Sequence, residues 1–579
     1  MTLNYDPDSS LVNATWVATL LSERDAAGQI PINFVTHPAV SLRAACFADN
    51  VFDKNSTAKC ISNLLAVGYR RLLVDLYWSA ERRSWSFCPV SVPANVGTDS
   101  SITAVTNSTG SQLYQLGSYK CSDNLDVSGL IDILRGYFEN NTSQLNVYLS
   151  FVIFSLHAAA STSAPDDPAP AVSGAQLPSN KERLGYLLDG SLGEYIYSPS
   201  QLAEERSNLN NSWYRVTNGY EPITEYFTIH EDSKDRQSTP DGWPCSKYVQ
   251  LARERRVLFG YGDIDPQIEG YDLGSDSVLF PPSYLTDFVD VSSAVDGSLD
   301  TGCLYDSDAY LVSQVNSSWA LSTRIPVPST TNGSVTLDQL SSIVTNLTAC
   351  GLSPNLNDTL LNATADNDVE TYRNISLSAS WAWSAGQPQD SIDDEDGDPK
   401  ERCAVLDLST NGRWQAIGCG EDRYAACRVN NLPFTWKLST EKTSYGNAAR
   451  ACPENTSFSL PRTGLENTYL YRYLLSYQSA SNGTLDVSSS KDSMRQVWLD
   501  FNSLDIASCW VSGGPDANCP YASDPQQLEK RTVLVATIWG IVICVVAALT
   551  LFVKCNANRR NSRRRKRVIE GWEYEGVPS

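Results

Sequence analysis

RLLVDLYW (Arg71 to Trp78) and VYLSFVIFSLH (Val147 to His157) are nearly continuous apolar runs of eight and eleven residues. Runs of this kind, rich in Leu, Val, Ile and aromatic residues, belong to strands covered on both faces, as in a parallel sheet. Working outward, Thr57 to Gly68 places Cys60, Ile61, Leu64 and Leu65 on one helical face, and Leu125 to Phe138 has the same periodicity. Ile30 to His37 (IPINFVTH) reads as an earlier strand. Helices at Gln201 to Asn208 and Lys247 to Arg256 and a strand at Val257 to Tyr261 continue the pattern. Strand and helix alternate, so the expected fold is an α/β TIM-barrel-like domain over residues 29–321, with four of its strands evident.

Three polar residues stand at or near the C-terminal ends of these strands: His37, Asp75 and His157. That rim is where barrel enzymes carry their chemistry. Two imidazoles and a carboxylate supply a general acid, a general base and an orienting group for phosphodiester cleavage. The plain alternative is a turn residue before Pro38, a loop cap and a loop start. No cofactor and no metal site is expected.

The chain has a formal charge of −22, and its last 26 residues carry eight basic and three acidic side chains, so the remainder is more acidic still. Such a surface repels phosphate backbones and argues against direct nucleic-acid binding. Thr532 to Val553 is uncharged over 22 residues, about 33 Å as a helix, and reads as a transmembrane span. The basic residues after it predict a single-pass type I protein, an integral membrane partner with residues 554–579 as a cytosolic tail and the ectodomain in the secretory lumen or at the cell surface. All 14 sequons precede the span: Asn13, Asn55, Asn107, Asn140, Asn141, Asn210, Asn316, Asn332, Asn346, Asn357, Asn362, Asn374, Asn455 and Asn482. So do 13 of the 15 cysteines, as suits an oxidising compartment. Residues 1–28 lack the basic start of an export signal, and that signal is expected upstream of Met1. Proximity in sequence pairs Cys46 with Cys60, Cys88 with Cys121 and Cys245 with Cys303. Residues 322–349 read as a Ser/Thr-rich linker.

IPINFVTHPAVSL (30–42), LAVGYRRLLVDLYWSAERRSWSFCPV (65–90), SQLAEERSNLNNSWYR (200–215), STPDGWPC (238–245) and SQVNSSWA (313–320) together resemble the fungal maintenance of telomere capping protein 6 family. The resemblance implies membrane glycoproteins whose N-terminal part is similar to phospholipase-C-like phosphodiesterase barrels, and a role in telomere capping. His37, Gly68, Arg70 and Asp75 match conserved types in such barrels. The second catalytic histidine does not: Ser86, Phe87, Cys88 and Pro89 stand in its place, and Leu76, Tyr77, Trp78 and Ser79 replace metal-binding acids. WAWSAGQPQD, ERCAVLDLSTNGRWQAIGC and EDRYAACR, within residues 350–430, resemble a C-type lectin-like domain. That resemblance implies Cys403–Cys419 and Cys350–Cys427 bridges and a core of Trp381, Trp383 and Trp414. Gln415 and Ala416 replace its sugar-site residues, and the acidic loop at 390–398 reads as solvated. Residues 431–522 read as a second, degenerate copy, with Cys509 bonded to Cys519 and Cys452 left over.

The function expected from all this is a non-catalytic glycoprotein presenting binding surfaces to a glycan or a lipid head group. The rivals are a phosphodiesterase acting on such a head group and a carbohydrate receptor.

Overall fold

The computed structural model describes residues 3–8, 11, 14–93, 102–106, 111–327, 335–388, 401–480, 485–521 and 546, 549 and 550. The chain divides into two units, Met1–Asn518 and Cys519–Ser579, and every element named here lies in the first.

Eight short parallel strands follow one another around a barrel: β1 (Ala39–Ser41), β2 (Arg71–Ser79), β3 (Ser150–Ala158), β4 (Val257–Ile264), β5 (Leu279–Phe280), β6 (Asp287–Val289), β7 (Ala320–Ser322) and β8 (Asn355–Leu356). Each ladder joins neighbours in sequence order from β1 to β5 and from β6 to β7. A parallel bridge from Leu321 to Ser353 leads into β8, and β8 closes on β1. No ladder joins β5 to β6 among the described residues. The apolar runs alternate as a barrel requires. Leu72, Val74 and Leu76 point outward into the core shared with the helices, whereas Leu73 and Asp75 face the barrel lumen.

Helices cover the barrel unevenly. α1 (Ala14–Ala26), α2 (Lys54–Ala66), α3 (Val127–Asn140), α4 (Leu184–Leu192), α5 (Pro199–Ser207), α6 (Leu337–Ala349) and α7 (Val369–Ser378) leave the β4 to β7 connections with short turns and hairpins. The Asp53 side chain caps α2 by accepting from Ser56 N, and Asp126 does the same for α3 through Ser128 N. The barrel lumen below its mouth is filled by Phe151, Ile153, Trp243, Leu285 and Trp319.

The segment read as a linker carries α6, whose Leu340, Ile343, Val344 and Leu347 are buried in the barrel core. The last strand lies beyond it, so the barrel extends past residue 321. The 431–522 region does not form a separate sheet. β9 (Cys403–Asp407), β10 (Arg413–Ile417), β11 (Tyr424–Val429), β12 (Trp436–Leu438), β13 (Thr456–Phe458) and β14 (Gln496–Asn502) make one sheet, with β14 between β9 and β11. Trp381, Trp383 and Trp414 are buried together in the core beneath it.

The disulfides follow the tertiary contacts. Cys46–Cys60, Cys88–Cys121 and Cys403–Cys419 are bonded. Cys303 pairs with Cys350, not Cys245, because α6 brings Cys350 back to the barrel. Cys427 on β11 pairs with Cys452, not Cys350, because the helix Ala448–Ala451 packs on that strand. Cys452 is therefore not left over. Cys509 and Cys519 are both disulfide-bonded. Cys245 is the free cysteine among the described residues; it is buried, and burial raises its thiol to about 12.

The transmembrane helix of the expected architecture is not supported by the described residues. Among the described residues no helix is long and apolar enough to cross a membrane. The longest, α8 (Gly464–Ala480), has 17 residues and buries Leu470 and Leu474 in the second core while carrying Glu466 and Asn467. A span needs about 20 apolar residues. The stretch 532–553 lies outside the described residues except at Val546, Leu549 and Thr550. Single-pass type I placement is withdrawn with the helix.

Candidate functional site

Ile30–His37 is not a strand. Pro31 and Pro38 withhold two backbone donors, and Ile32–Phe34 forms a single tight turn instead. The strand starts only at Ala39, so His37 enters β1 rather than ending it. Asp75 lies midway along β2 and His157 near the exit of β3. Because the strands are parallel, His37 is at the opposite end of the barrel. Ala39 pairs with Arg71 and His157 with Tyr77, six residues further on, which is roughly 20 Å along the strand. A general acid and base must both reach one substrate within about 3 Å. These two imidazoles cannot.

At the floor, His37 is half-buried and lines a cavity of about 80 Å³ together with Arg70, Tyr148, Gln250 and Trp381. Its backbone N–H donates to Ser353 Oγ at 3.1 Å. Burial, reinforced by the Arg71 and Arg70 charges, lowers its pKa to about 3, so it is neutral at physiological pH. The third histidine, His230, is exposed on a hairpin.

At the mouth, His157 sits between two carboxylates, Nε2 at 3.7 Å from Asp75 Oδ1 and Nδ1 at 3.5 Å from Asp265 Oδ2. These separations are ion-pair contacts rather than short hydrogen bonds. Tyr77, paired with His157 across the ladder, stacks on its ring with centroids 4.9 Å apart. Burial alone would lower the imidazole's proton affinity. Asp75 and Asp265 outweigh it, and the pKa is raised. The ring is held on three sides, by Asp75, Asp265 and Tyr77.

Beside it opens a cavity of about 490 Å³, built from strand ends: Ser41, Asp75, Ser155, Asp263 and Asn355 from five strands, and Phe288 from a sixth. Asp49 and Asp358 add carboxylates, and among the described residues Arg43 is the one cation of this lining. The Arg43 guanidinium donates to Asn50 Oδ1 at 2.6 Å and stands 5.3 Å from the Phe52 ring. Four carboxylates against one guanidinium disfavour an anionic ligand. Hydroxyl, amide and carboxylate groups beside a half-exposed phenyl ring suit a hydroxylated, uncharged one.

Sequence reasoning found Asp75 and His157 in the right neighbourhood and missed Tyr77, Asp263 and Asp265. The signal was present: Asp263 and Asp265 close the run VLFGYGDID at the end of β4, the position that already singled out Asp75. Among the sequons, Asn55, Asn140, Asn210, Asn316, Asn357, Asn362 and Asn455 are exposed, and Asn141, Asn346 and Asn374 are half-buried. Asn13, Asn107, Asn332 and Asn482 lie outside the described residues, as does the acidic loop at 390–398.

Residues 12–382 match the family model described as the MTC6 partial TIM-barrel domain. Curated relatives named "Maintenance of telomere capping protein 6" align over most of the chain. The relative in Candida albicans is 23% identical over 617 residues, covering 98% of this chain and 95% of its own. That in Yarrowia lipolytica is 24% identical over 657 residues, covering 97% and 91%. That in Saccharomyces cerevisiae is 25% identical over 470 residues, covering 76% and 73%. No solved structure matches.

Proposed function

The chain belongs to the maintenance of telomere capping protein 6 family, and from that premise we propose that it contributes to telomere capping as a non-catalytic binding protein. The observation that carries the non-catalytic reading is the placement of His37 and His157 at opposite ends of the barrel. A phosphodiesterase needs both proton-transfer partners at one phosphorus, and each is worth roughly 10² to 10⁴ in rate. The ligand class we assign to the mouth is a neutral glycan or polyol. The carboxylates of Asp75 and Asp263 accept from its hydroxyls, and Phe288 offers an apolar face. A phosphorylated lipid head group is disfavoured by the same charge balance.

The test is direct. The purified chain should not turn over phosphatidylinositol or glycerophosphodiesters, and His37→Gln and His157→Gln variants should match it. Turnover that disappears in His157→Gln would restore the enzyme reading. On a glycan array, binding should be lost in Asp75→Asn/Asp263→Asn. Array binding that survives this double change would remove the mouth as the site.

A further inference from the structure

A second cavity, of about 530 Å³, lies where α1, α7 and the segment 383–387 meet β10. Its lining inverts the chemistry of the barrel mouth. Arg373 from α7 and Arg413 from β10 both face it, and among the described residues no aspartate or glutamate lines it. In a chain of net charge −22 this is a positive island.

Among the described residues no carboxylate within the cavity neutralises either guanidinium. Arg373 Nη2 contacts Glu370 Oε2 at 2.8 Å, but that carboxylate is 56% exposed, so water screens the pair. Arg373 Nε is buried and has no hydrogen-bond partner. Arg413 donates to the Ser380 carbonyl. The acid nearest to it in effect, Glu23, already accepts from Ser380 Oγ, Trp381 N and Ala382 N. The first turn of α1 adds to the field. Thr15 and Trp16 line the cavity, and that turn contains no acidic residue, so the positive end of the helix dipole adds to the potential there. Two guanidiniums and a 13-residue helix therefore converge on one space, with the indoles of Trp16 and Trp383 on its walls.

We propose that this cavity is an anion site that takes the phosphate or sulfate ester of a small hydroxylated molecule. Arg373 and Arg413 receive the oxyanion, since planar guanidinium groups match its oxygens. The indole faces and the side-chain hydroxyls around them accommodate the carbon skeleton. This site is separate from the mouth and shares no lining residue with it.

Calorimetry on the full chain, with glucose 6-phosphate, glucose 6-sulfate, inorganic phosphate and glucose as probes, tests it. In an Asp75→Asn/Asp263→Asn background, which silences the mouth, both esters should bind and raise the melting temperature, and glucose should do neither. Inorganic phosphate binding as tightly as the esters would assign the site to the free ion, which keeps the anion chemistry. Arg373→Gln should weaken binding at least tenfold, and Arg373→Lys should retain more of it. Arg413→Gln is the harsher change because Arg413 also packs beside Glu23. His230→Gln, on the exposed hairpin, should leave ester binding unchanged. No binding at millimolar ester, equal binding of glucose, or full affinity in Arg373→Gln would each overturn the proposal.

Discussion

His157 Nε2 stands 3.7 Å from Asp75 Oδ1 across the β2–β3 ladder, and Asp265 approaches the same ring from its other nitrogen. This geometry raises the imidazole pKa in the folded state above its ordinary value near 6.5. The stability it contributes is complete below the unfolded pKa and is lost as pH rises through the folded one. Stability should therefore fall as pH rises above about 6.5. The slope should flatten in His157→Gln and weaken in Asp75→Asn and Asp265→Asn. Denaturant melts at half-unit pH steps measure this, and an unchanged slope in His157→Gln would refute the pairing.

His37 should show the opposite dependence. Its folded pKa is lowered to about 3, so between that value and the unfolded 6.5 the unfolded chain binds the extra proton. Acidification through this window should destabilise the fold, by at most a few kcal/mol. The imidazole NMR signal of His37 should not titrate above pH 5 in the native protein. A His37 resonance with a midpoint near 6.5 is the outcome that fails.

A buried carboxylate ties α1 to residues 380–382. Glu23 on α1 accepts from Ser380 Oγ at 2.5 Å, Trp381 N at 2.9 Å and Ala382 N at 2.8 Å, and burial raises its pKa. Glu23→Ala leaves three donors without an acceptor, at about 1 to 3 kcal/mol for each that stays buried. The expected loss is roughly 3 kcal/mol or more, read by chemical denaturation. A loss below about 1 kcal/mol would mean that water replaces the carboxylate freely.

Cys303–Cys350 closes the longest loop of the five bridges described by their geometry, with a sequence separation of 47. Cys303→Ser with Cys350→Ser should cost about 2 to 4 kcal/mol. Peptide mapping of the native chain should recover this pair and Cys427–Cys452. Recovery of Cys245 in any disulfide would contradict its place in the barrel interior.

Local pattern carried much of the architecture. RLLVDLYW and the run to His157 specify strands because only a strand buried on both faces satisfies so many consecutive apolar side chains, and their alternation already puts Asp75 and not Val74 on the lumen side. Short-range bridges such as Cys46–Cys60 and Cys88–Cys121 were legible from proximity, since neighbours in sequence stay neighbours in space, whereas Cys403–Cys419 was implied by the lectin-like resemblance. The short strands β5 to β8 carry too few residues for any periodicity, and only their pairing with neighbouring strands identifies them.

What tertiary structure alone decided is which polar residues meet. His37 looked like a partner for His157 because both follow apolar runs. Two prolines move the start of β1 beyond His37, and the parallel sense of the sheet then sends the two rings to opposite ends. Asp265 reaches His157 from 108 residues away, Cys350 reaches Cys303 through α6, and β14 inserts between β9 and β11. Each is a long-range contact set by packing of whole elements, and no local propensity encodes it.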